Sequence, residues 1–525
     1  MEDIFFNHIC SIYKENVDKV QAKEQAKAAA AVAMGVDVVL NFPVGGGKTL
    51  TCLVGALANK DAQILIVVPL TAIKNSFVKT CKELGGNITN KPFLFKNLAK
   101  PRAMIICPEM AYDWLLSETT QNNNNMIIST VWTNIILDEY HLSTTWGMDP
   151  KFREIAYKST NAIVTRNEQS QVTICSGTIT NQCINEIGVL LKRTGKILKF
   201  TPSTDLLRKN IQEIKPIYTN DAIRRKLFKD LATISSSFKV IIFTQSKRKC
   251  DIIREEFEGE EGMENVYVSA MYNGVTPREI HQLLITKSGL IAATEYLGAG
   301  YDDDVEYIII LGMVGITNFI QMSGRGGRVT SSAIVYWLTS ISHFNIKMKK
   351  LLSGGTRIEI METIYMLLVF INPMHSCIHC LLEYYFHGDD ARIKPCRKCI
   401  HCKIRDEMEQ NGGETSCISG NDIQTALASI HDALSNVSPP LLSVTETIKL
   451  LNKKLALENM NFARYIFYNM VYTNIINIYL YNDRIYWTIK LSNINSSNIN
   501  SSIPDFEFRY EKNRFTKIND RLLTV

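Results

Sequence analysis

The chain has 525 residues, 46% hydrophobic and 21% charged, which is ordinary globular usage and enough for three or four domains at roughly 100–200 residues each. A net charge of only +6 excludes a surface that is basic throughout, so any nucleic-acid site must be a local groove. The opening MEDIFFNHIC has early acids and no long apolar core and is not expected to be a secretory leader; runs such as Tyr307–Gly315 and Ile364–Ile371 fall short of the roughly 18 residues of a membrane span.

From Val36 to about Thr178, short apolar runs alternate with helical stretches: Val36–Phe42, Ile64–Val68, Ala103–Cys107, Asn134–Leu137 and Val172–Cys175. Strands that alternate with helices predict a parallel sheet covered on both faces. The first run leads into Pro43-Val44-Gly45-Gly46-Gly47-Lys48-Thr49, and the helical stretch Leu50–Leu57 follows. Strand, glycine-rich loop and helix are what a phosphate cradle needs. Gly45, Gly46 and Gly47 let backbone N–H groups converge on phosphates, and the helix start adds its positive end. Lys48 is placed to reach the β- and γ-phosphates of a nucleotide, and the Thr49 hydroxyl to hold Mg²⁺. Phe42 stands where the general pattern has its first glycine. Further on, Asn134–Leu137 runs into Asp138-Glu139-Tyr140-His141. Acids at the carboxyl end of a parallel strand sit where ligands bind. Asp138 is read as the Mg²⁺ carboxylate and Glu139 as the group that orients or deprotonates a water. His141 is read as a link to the neighbouring lobe or to Gln321.

A hinge is expected near Phe200–Pro216, and then the pattern repeats with Val240–Phe243, Val266–Ser269, Leu290–Ala293, Tyr307–Leu311 and Ala333–Leu338. Within this second lobe, Gln321-Met322-Ser323-Gly324-Arg325-Gly326-Gly327-Arg328 is a glycine-spaced arginine pair. Arg325 and Arg328, with Gln321 upstream, can face a γ-phosphate across a cleft between lobes. Beyond about His343 the sequence turns to helix and cysteine knuckles. Of 13 cysteines, seven (Cys10, Cys52, Cys81, Cys107, Cys175, Cys183, Cys250) are scattered and read as small buried hydrophobes, whereas five crowd into Cys377–Cys402. That distribution suits a reducing compartment and a metal site, not a disulfide framework. By spacing alone, Cys377, Cys380, Cys396 and Cys399 fit a C-x2-C-x15-C-x2-C zinc pattern. His375, His379, His387 and His401 read as surface residues. A polar linker, Asp406–Gly420, leads to helical stretches at Ile423–Leu434, Thr445–Leu457 and Phe462–Tyr472. The hairpin Ile478–Tyr481, Arg484–Leu491 and an Asn/Ser-rich tail, Ser492–Ser502, follow. Helices followed by a hairpin suggest a small winged-helix domain.

These motifs, in this order, resemble superfamily-two helicases and the RecQ family in particular, over residues 20 to 405. The resemblance implies two tandem RecA-like parallel-sheet lobes (1–205 and 206–345) and a small helical zinc-binding module (346–410); behind them 420–525 is read as an α+β region, where RecQ proteins often carry a winged helix but no family motif is legible. It implies that Gln25 reads the adenine edge and that Asp302, in Gly298-Ala299-Gly300-Tyr301-Asp302, belongs to the nucleotide site. Pro69 and Thr71, and Pro108 and Glu109, fall where the family's first-lobe DNA-backbone motifs fall, and Ser176-Gly177-Thr178 where its coupling motif falls. The loop Leu142–Asp149 is similar to its aromatic-rich DNA sensor, with Trp146 as the stacking residue. The stretch Leu381–Gly388 is similar to its zinc-domain helix, which implies Cys377, Cys396, Cys399 and Cys402 as the zinc set and leaves Cys380 as a spare or swapped ligand. The chain departs from the pattern at Ala22 (arginine in the family), Tyr140 (alanine), Met148 (histidine) and Val329-Thr330 (Asp-Gly).

The function implied is an ATP-dependent DNA helicase using Mg²⁺, with structural Zn²⁺, that moves 3′-to-5′ on single-stranded DNA and opens forks or duplex junctions. The alternatives are an RNA-directed motor and a nucleic-acid-binding adaptor with an uncoupled ATPase. An intracellular protein is expected, nuclear in a eukaryotic source, with no membrane partner.

Overall fold

A computed structural model describes residues 1–13, 19–42, 46–69, 71–95, 97–117, 130–145, 151–193, 197–201, 211–219, 221–259, 263, 266–272, 286, 288–294, 305–327, 332–355, 357–371, 377–387, 395–397, 399, 401–403, 405–406, 416–418, 444–454, 460–472, 476–481, 484–489 and 508–510. The first lobe is a seven-stranded sheet made of β1 (Val38–Asn41), β2 (Gln63–Val67), β3 (Asn87–Thr89), β4 (Arg102–Ile106), β5 (Asn134–Asp138), β6 (Gln171–Ser176) and β7 (Leu198–Phe200). Its order is β3-β4-β2-β5-β6-β1-β7, and every pairing is parallel. A parallel sheet buries both faces, and the period-2 alternation splits its residues accordingly. Val39, Leu65, Val67, Ile135 and Leu137 enter one core, and Val38, Leu40, Ile64, Ile66 and Ile136 enter the other.

The second lobe has β8 (Ile211–Tyr218), β9 (Lys239–Phe243), β10 (Val268–Met271), β11 (Gly289–Ala293), β12 (Tyr307–Leu311) and β13 (Ala333–Thr339), ordered β10-β11-β9-β12-β13-β8 and again all parallel. One of its two cores does not stop at the lobe. Ile241, Phe243, Ile308 and Trp337 share it with Phe344 and Met348, with Leu367 and Phe370, with Cys377, Cys399 and Cys402, and with Leu451 and Phe467. Trp337 stands at the centre, against Phe319 at 5.2 Å and Phe370 at 5.3 Å between ring centroids, its Nε1 donating to Gly312 O at 3.0 Å. Burial of each such ring contributes about 1.5–3 kcal/mol. The helices Ile341–Gly354 and Arg357–Phe370 and the cysteine segment are therefore packed onto the second lobe, and the ion pair Lys403–Glu213 at 2.8 Å adds a surface tie.

Three strands escape the hydrophobic reading. β3 and β7 have three residues each and lie at sheet edges, too short to show an alternation. β8 occupies part of the expected hinge, and as an edge strand it tolerates Pro216, which pairs with Trp337. The helix Glu2–Tyr13 was likewise not expected; it docks Phe5 and Ile9 on Ala22, Ala26 and Leu50. Within the expected linker, β14 (Ser416–Ile418) pairs with β17 (Phe508–Tyr510). The helices Val444–Lys454 and Met460–Tyr472 are followed by the antiparallel pair β15 (Ile476–Tyr481) and β16 (Arg484–Ile489). The helix expected at Ile423–Leu434 and the tail Ser492–Ser502 lie outside the described residues. Of the scattered cysteines, Cys52, Cys81, Cys175, Cys183 and Cys250 are buried as expected, whereas Cys10 and Cys107 are only half-buried. No helix among the described residues is long and apolar enough to cross a membrane.

Candidate nucleotide site and cysteine cluster

In the first sheet β6 lies between β1 and β5, and this order brings three separate motifs to one edge. Asn41 is level with Ser176, and Asp138 with Cys175. The phosphate-loop lysine, the paired acids and Ser176 therefore converge although they are far apart in sequence. Lys48 opens the helix Lys48–Leu57; its Nζ donates to Phe42 O at 3.2 Å and lies 3.8 Å from Glu139 Oε1. The opposite Glu139 oxygen is 3.4 Å from His141 Nδ1, and His141 Nδ1 is 2.9 Å from Ser176 Oγ, which also accepts from the Thr178 N–H at 3.1 Å. His141 was expected to reach the second lobe or Gln321, whereas the partner seen here is Ser176 of its own lobe, because β6 separates the two flanking strands.

Glu139 has φ +45°, a left-handed conformation uncommon for a non-glycine residue. The turn it makes ends β5 and swings its carboxylate toward Lys48. Burial, then the neighbouring Glu139 charge, push the Asp138 carboxyl up to about 7, with Lys48 opposing. Two adjacent acids at the end of a buried strand fit a divalent cation, and half-buried Thr49 supplies a hydroxyl on the adjoining helix turn. Burial also lowers the His141 pKa, so the ring between Glu139 and Ser176 is held neutral.

Gly47 has φ +78°, and a Cβ there would lie 2.2 Å from Gln25 Nε2 and 2.4 Å from Tyr13 Oη. Only glycine permits that approach. Gln25 Nε2 donates to Gly46 O at 2.8 Å and to the Tyr13 hydroxyl at 3.1 Å, so the residue expected to read adenine also grips the phosphate loop. Gln25 Oε1 is buried without a hydrogen-bond partner among the described residues, which suits a base amino group as donor. Tyr13 was missed; its signal was the row Phe5, Ile9, Tyr13 at helical spacing. Tyr140, which replaces the family's alanine, is fully buried; its hydroxyl bonds Asn161 Oδ1 and its ring meets Tyr157 edge-on at 5.7 Å.

Among the other expected site residues, Gln321 lies half-buried on the helix Ile316–Ser323, and Arg325 lies buried just beyond it. Pro69 is buried at the end of β2; Thr71 begins the helix Thr71–Glu83, and Pro108 and Glu109 begin the helix Pro108–Ser117. Gly45, Trp146, Asp302 and Arg328 lie outside the described residues.

The cysteine cluster resolves the choice of ligand set. The sulfurs of Cys377, Cys396, Cys399 and Cys402 all lie within 4.8 Å of one another, with Cys377–Cys399 at 3.9 Å and Cys396–Cys402 at 4.0 Å. Tetrahedral thiolates about 2.3 Å from a zinc ion stand roughly 3.8 Å apart. The four could therefore hold Zn²⁺, and Cys380, which spacing alone would have chosen, is outside the set. Backbone N–H groups of Cys396 and Cys399 donate to Cys377 Sγ and Cys396 Sγ, both at 3.3 Å, through a turn in which Arg397 has φ +54°. Hydrogen bonds from Cys396 and Cys399 hold the Cys377 thiol far below its usual range. His401, expected at the surface, is buried, because the knuckle folds it in beside Cys402.

Residues 22–187 match the family described as DEAD/DEAH box helicase, and residues 221–330 match the helicase conserved C-terminal domain. The chain carries both halves of a helicase motor. The motor is of the ATP-hydrolysing kind, with ATP and Mg²⁺ as its cofactors. A putative ATP-dependent DNA helicase Q1 of Caenorhabditis briggsae is 21% identical over 456 residues, 82% of this chain and 70% of that protein. The ATP-dependent DNA helicase hus2/rqh1 of Schizosaccharomyces pombe is 23% identical over 407 residues, 72% of this chain but 29% of its own length. DEAD-box ATP-dependent RNA helicase 20 of Arabidopsis thaliana is 21% identical over 338 residues, 59% of this chain and 63% of its own. Among solved structures, the DEAD-box helicase Mss116 bound to ssRNA and UDP-BeF superposes with a TM-score of 0.51 at 15% identity, covering 74% of this chain and 90% of that one. A likeness at that identity is one of fold, that of two RecA-like lobes.

Proposed function

We propose that this motor is directed to DNA, translocates 3′-to-5′ on a single strand and opens forks or duplex junctions. The observation that carries the ATPase part is the connected edge Lys48–Glu139–His141–Ser176, which joins the phosphate loop to the acids and to the coupling motif. In this reading Gln25 holds the base and Gly45, Gly46, Gly47 and Lys48 cradle the phosphates. Thr49 and Asp138 hold Mg²⁺, which when bound supplies charge neutralisation at the β- and γ-phosphates. Glu139 orients the attacking water and accepts its proton on a carboxylate oxygen. Gln321, Arg325 and Arg328 meet the γ-phosphate from the second lobe, and Asp302 borders it. Pro69, Thr71, Pro108 and Glu109 follow the strand's backbone, and Trp146 stacks on a base. Zn²⁺ on Cys377, Cys396, Cys399 and Cys402 would hold the module behind the second lobe.

Two observations support DNA: two relatives are named DNA helicases, and the four clustered cysteines are the set that the resemblance to RecQ enzymes implies. A third relative is named an RNA helicase, which supports the RNA reading. ATP turnover of the full chain with single-stranded DNA, single-stranded RNA or duplex DNA separates them. Stimulation of turnover by single-stranded DNA above RNA, lost by at least about 100-fold in Lys48→Ala, is expected. Stimulation by RNA alone would establish the RNA motor. Turnover indifferent to every nucleic acid would leave an uncoupled adaptor.

A further inference from the structure

Glu362 is a buried carboxylate that the nucleotide mechanism does not use. It lies on Arg357–Phe370, behind the second lobe, and its Oε1 accepts a hydrogen bond from Thr317 Oγ1 at 2.5 Å while the carboxylate also accepts from the Thr317 backbone N–H. Thr317 is the second residue of Ile316–Ser323, a helix whose own N-cap, Gly315, makes no side-chain cap bond. The first N–H groups of a helix need an acceptor, and a carboxylate also meets the positive end of its dipole. Here both come from a different helix. A Cβ on Gly315 would lie 2.6 Å from Glu362 Oε2, so glycine at the cap is what admits the carboxylate. The helix so capped carries Gln321 and runs through Gly324 into Arg325. On another flank Arg357–Phe370 lies against Leu142–Thr145, the turn that follows Asp138–His141. The same helix thus touches the segments that follow the acids in one lobe and precede the arginine in the other.

We infer that Glu362 is a positioning residue for ATP turnover: it caps the helix that bears Gln321 and leads through Gly324 into Arg325, and so sets where Arg325 stands at the nucleotide. The inference rests on the reading of Arg325 as a nucleotide-facing group. Steady-state ATP turnover of the full chain, with a poly(dT) single strand, is compared for Arg325→Ala, Glu362→Ala, Glu362→Gln and Thr317→Val. Arg325→Ala is expected to lower kcat at least about 100-fold. Glu362→Ala is expected to lower kcat about 10-fold and leave KM for ATP unchanged. Glu362→Gln keeps an acceptor oxygen of the same reach and should restore kcat to within about twofold of the parent. An active-site defect in Arg325→Ala with parental kcat in Glu362→Ala would overturn the inference and leave the motor standing. Parental kcat in Arg325→Ala would overturn the reading of Arg325 as a nucleotide-facing group, and the inference with it, while the ATPase stands. A rise in KM in place of the fall in kcat, or a loss in Glu362→Gln equal to that in Glu362→Ala, would also overturn the capping role. Where Glu362→Ala folds poorly, Thr317→Val decides: kcat about threefold down supports the cap, and unchanged kcat overturns it.

Discussion

In the first lobe the contacts that tie the reactive edge together among the described residues lie within that lobe: Lys48 to Glu139 at 3.8 Å, Glu139 to His141 at 3.4 Å, His141 to Ser176 at 2.9 Å, and Gln25 to Gly46 at 2.8 Å. In the second lobe the helix that leads to Arg325 is capped by Glu362 from beyond the lobe, and the sheet shares its core with the cysteine segment. The contrast teaches that the bonds at the first lobe's reactive edge run between its own strands and loops, whereas the helix before Arg325 takes its cap from a segment packed behind the second lobe. Both follow from the same parallel-sheet physics. A strand inserted between two others, as β6 is, brings motifs into register, but an exposed sheet face must be covered by whatever follows in the chain.

The sharpest way to break this contrast is to disable the zinc site proposed at the cysteine cluster. Structural zinc contributes apparent binding energies of roughly 10–16 kcal/mol, and binding is coupled to folding. Chelation, or Cys399→Ser, should raise amide hydrogen exchange at 341–371 and in β9 and β12 and leave β1 and β5 protected. Equal loss of protection in both lobes would remove the asymmetry, and no change anywhere would remove the zinc site.

A smaller effect is expected inside the first lobe. His141→Ala removes the group between Glu139 and Ser176 and should lower nucleic-acid-stimulated turnover about 5-fold, the worth of one neutral hydrogen bond. Affinity for a single strand, read by fluorescence anisotropy, should stay the same. Parental turnover in this variant would show that the connection is structural only.

The smallest effect belongs to Tyr140. Tyr140→Phe removes the hydroxyl that bonds Asn161 and keeps the ring against Tyr157. It should cost about 1 kcal/mol in denaturant unfolding. A loss no larger than that, with turnover kept, would make Tyr140 a packing residue that secures the turn after the acids. A turnover defect as large as that of His141→Ala would place it in the path between loop and acids.

Much of the fold could be read from residues alone. Ten strands of the two large sheets announced themselves because parallel strands buried on both faces are continuous apolar runs, as in Ile308-Ile309-Ile310. What escaped were elements whose residues carry no such pattern: three-residue edges, the proline-bearing β8, and the first helix. At the site, Lys48, Asp138 and Glu139 were legible because each follows a strand end, the place where chemistry collects in α/β sheets. Tyr13, Asn161 and Glu362 were not, because each acts through a partner distant in the chain.

The sequence by itself determined the two sheets, the order of the motifs and the residue types able to hold a nucleotide and a metal, since these follow from local spacing and hydrophobic period. Only the tertiary structure decided that Cys402 and not Cys380 completes the cluster, that His141 meets Ser176, and that Glu362 caps the helix of Arg325. Spacing says which side chains share a turn or a strand face. Which of them share a point in space depends on strand order and on close packing between segments far apart in the chain, and no local pattern encodes that.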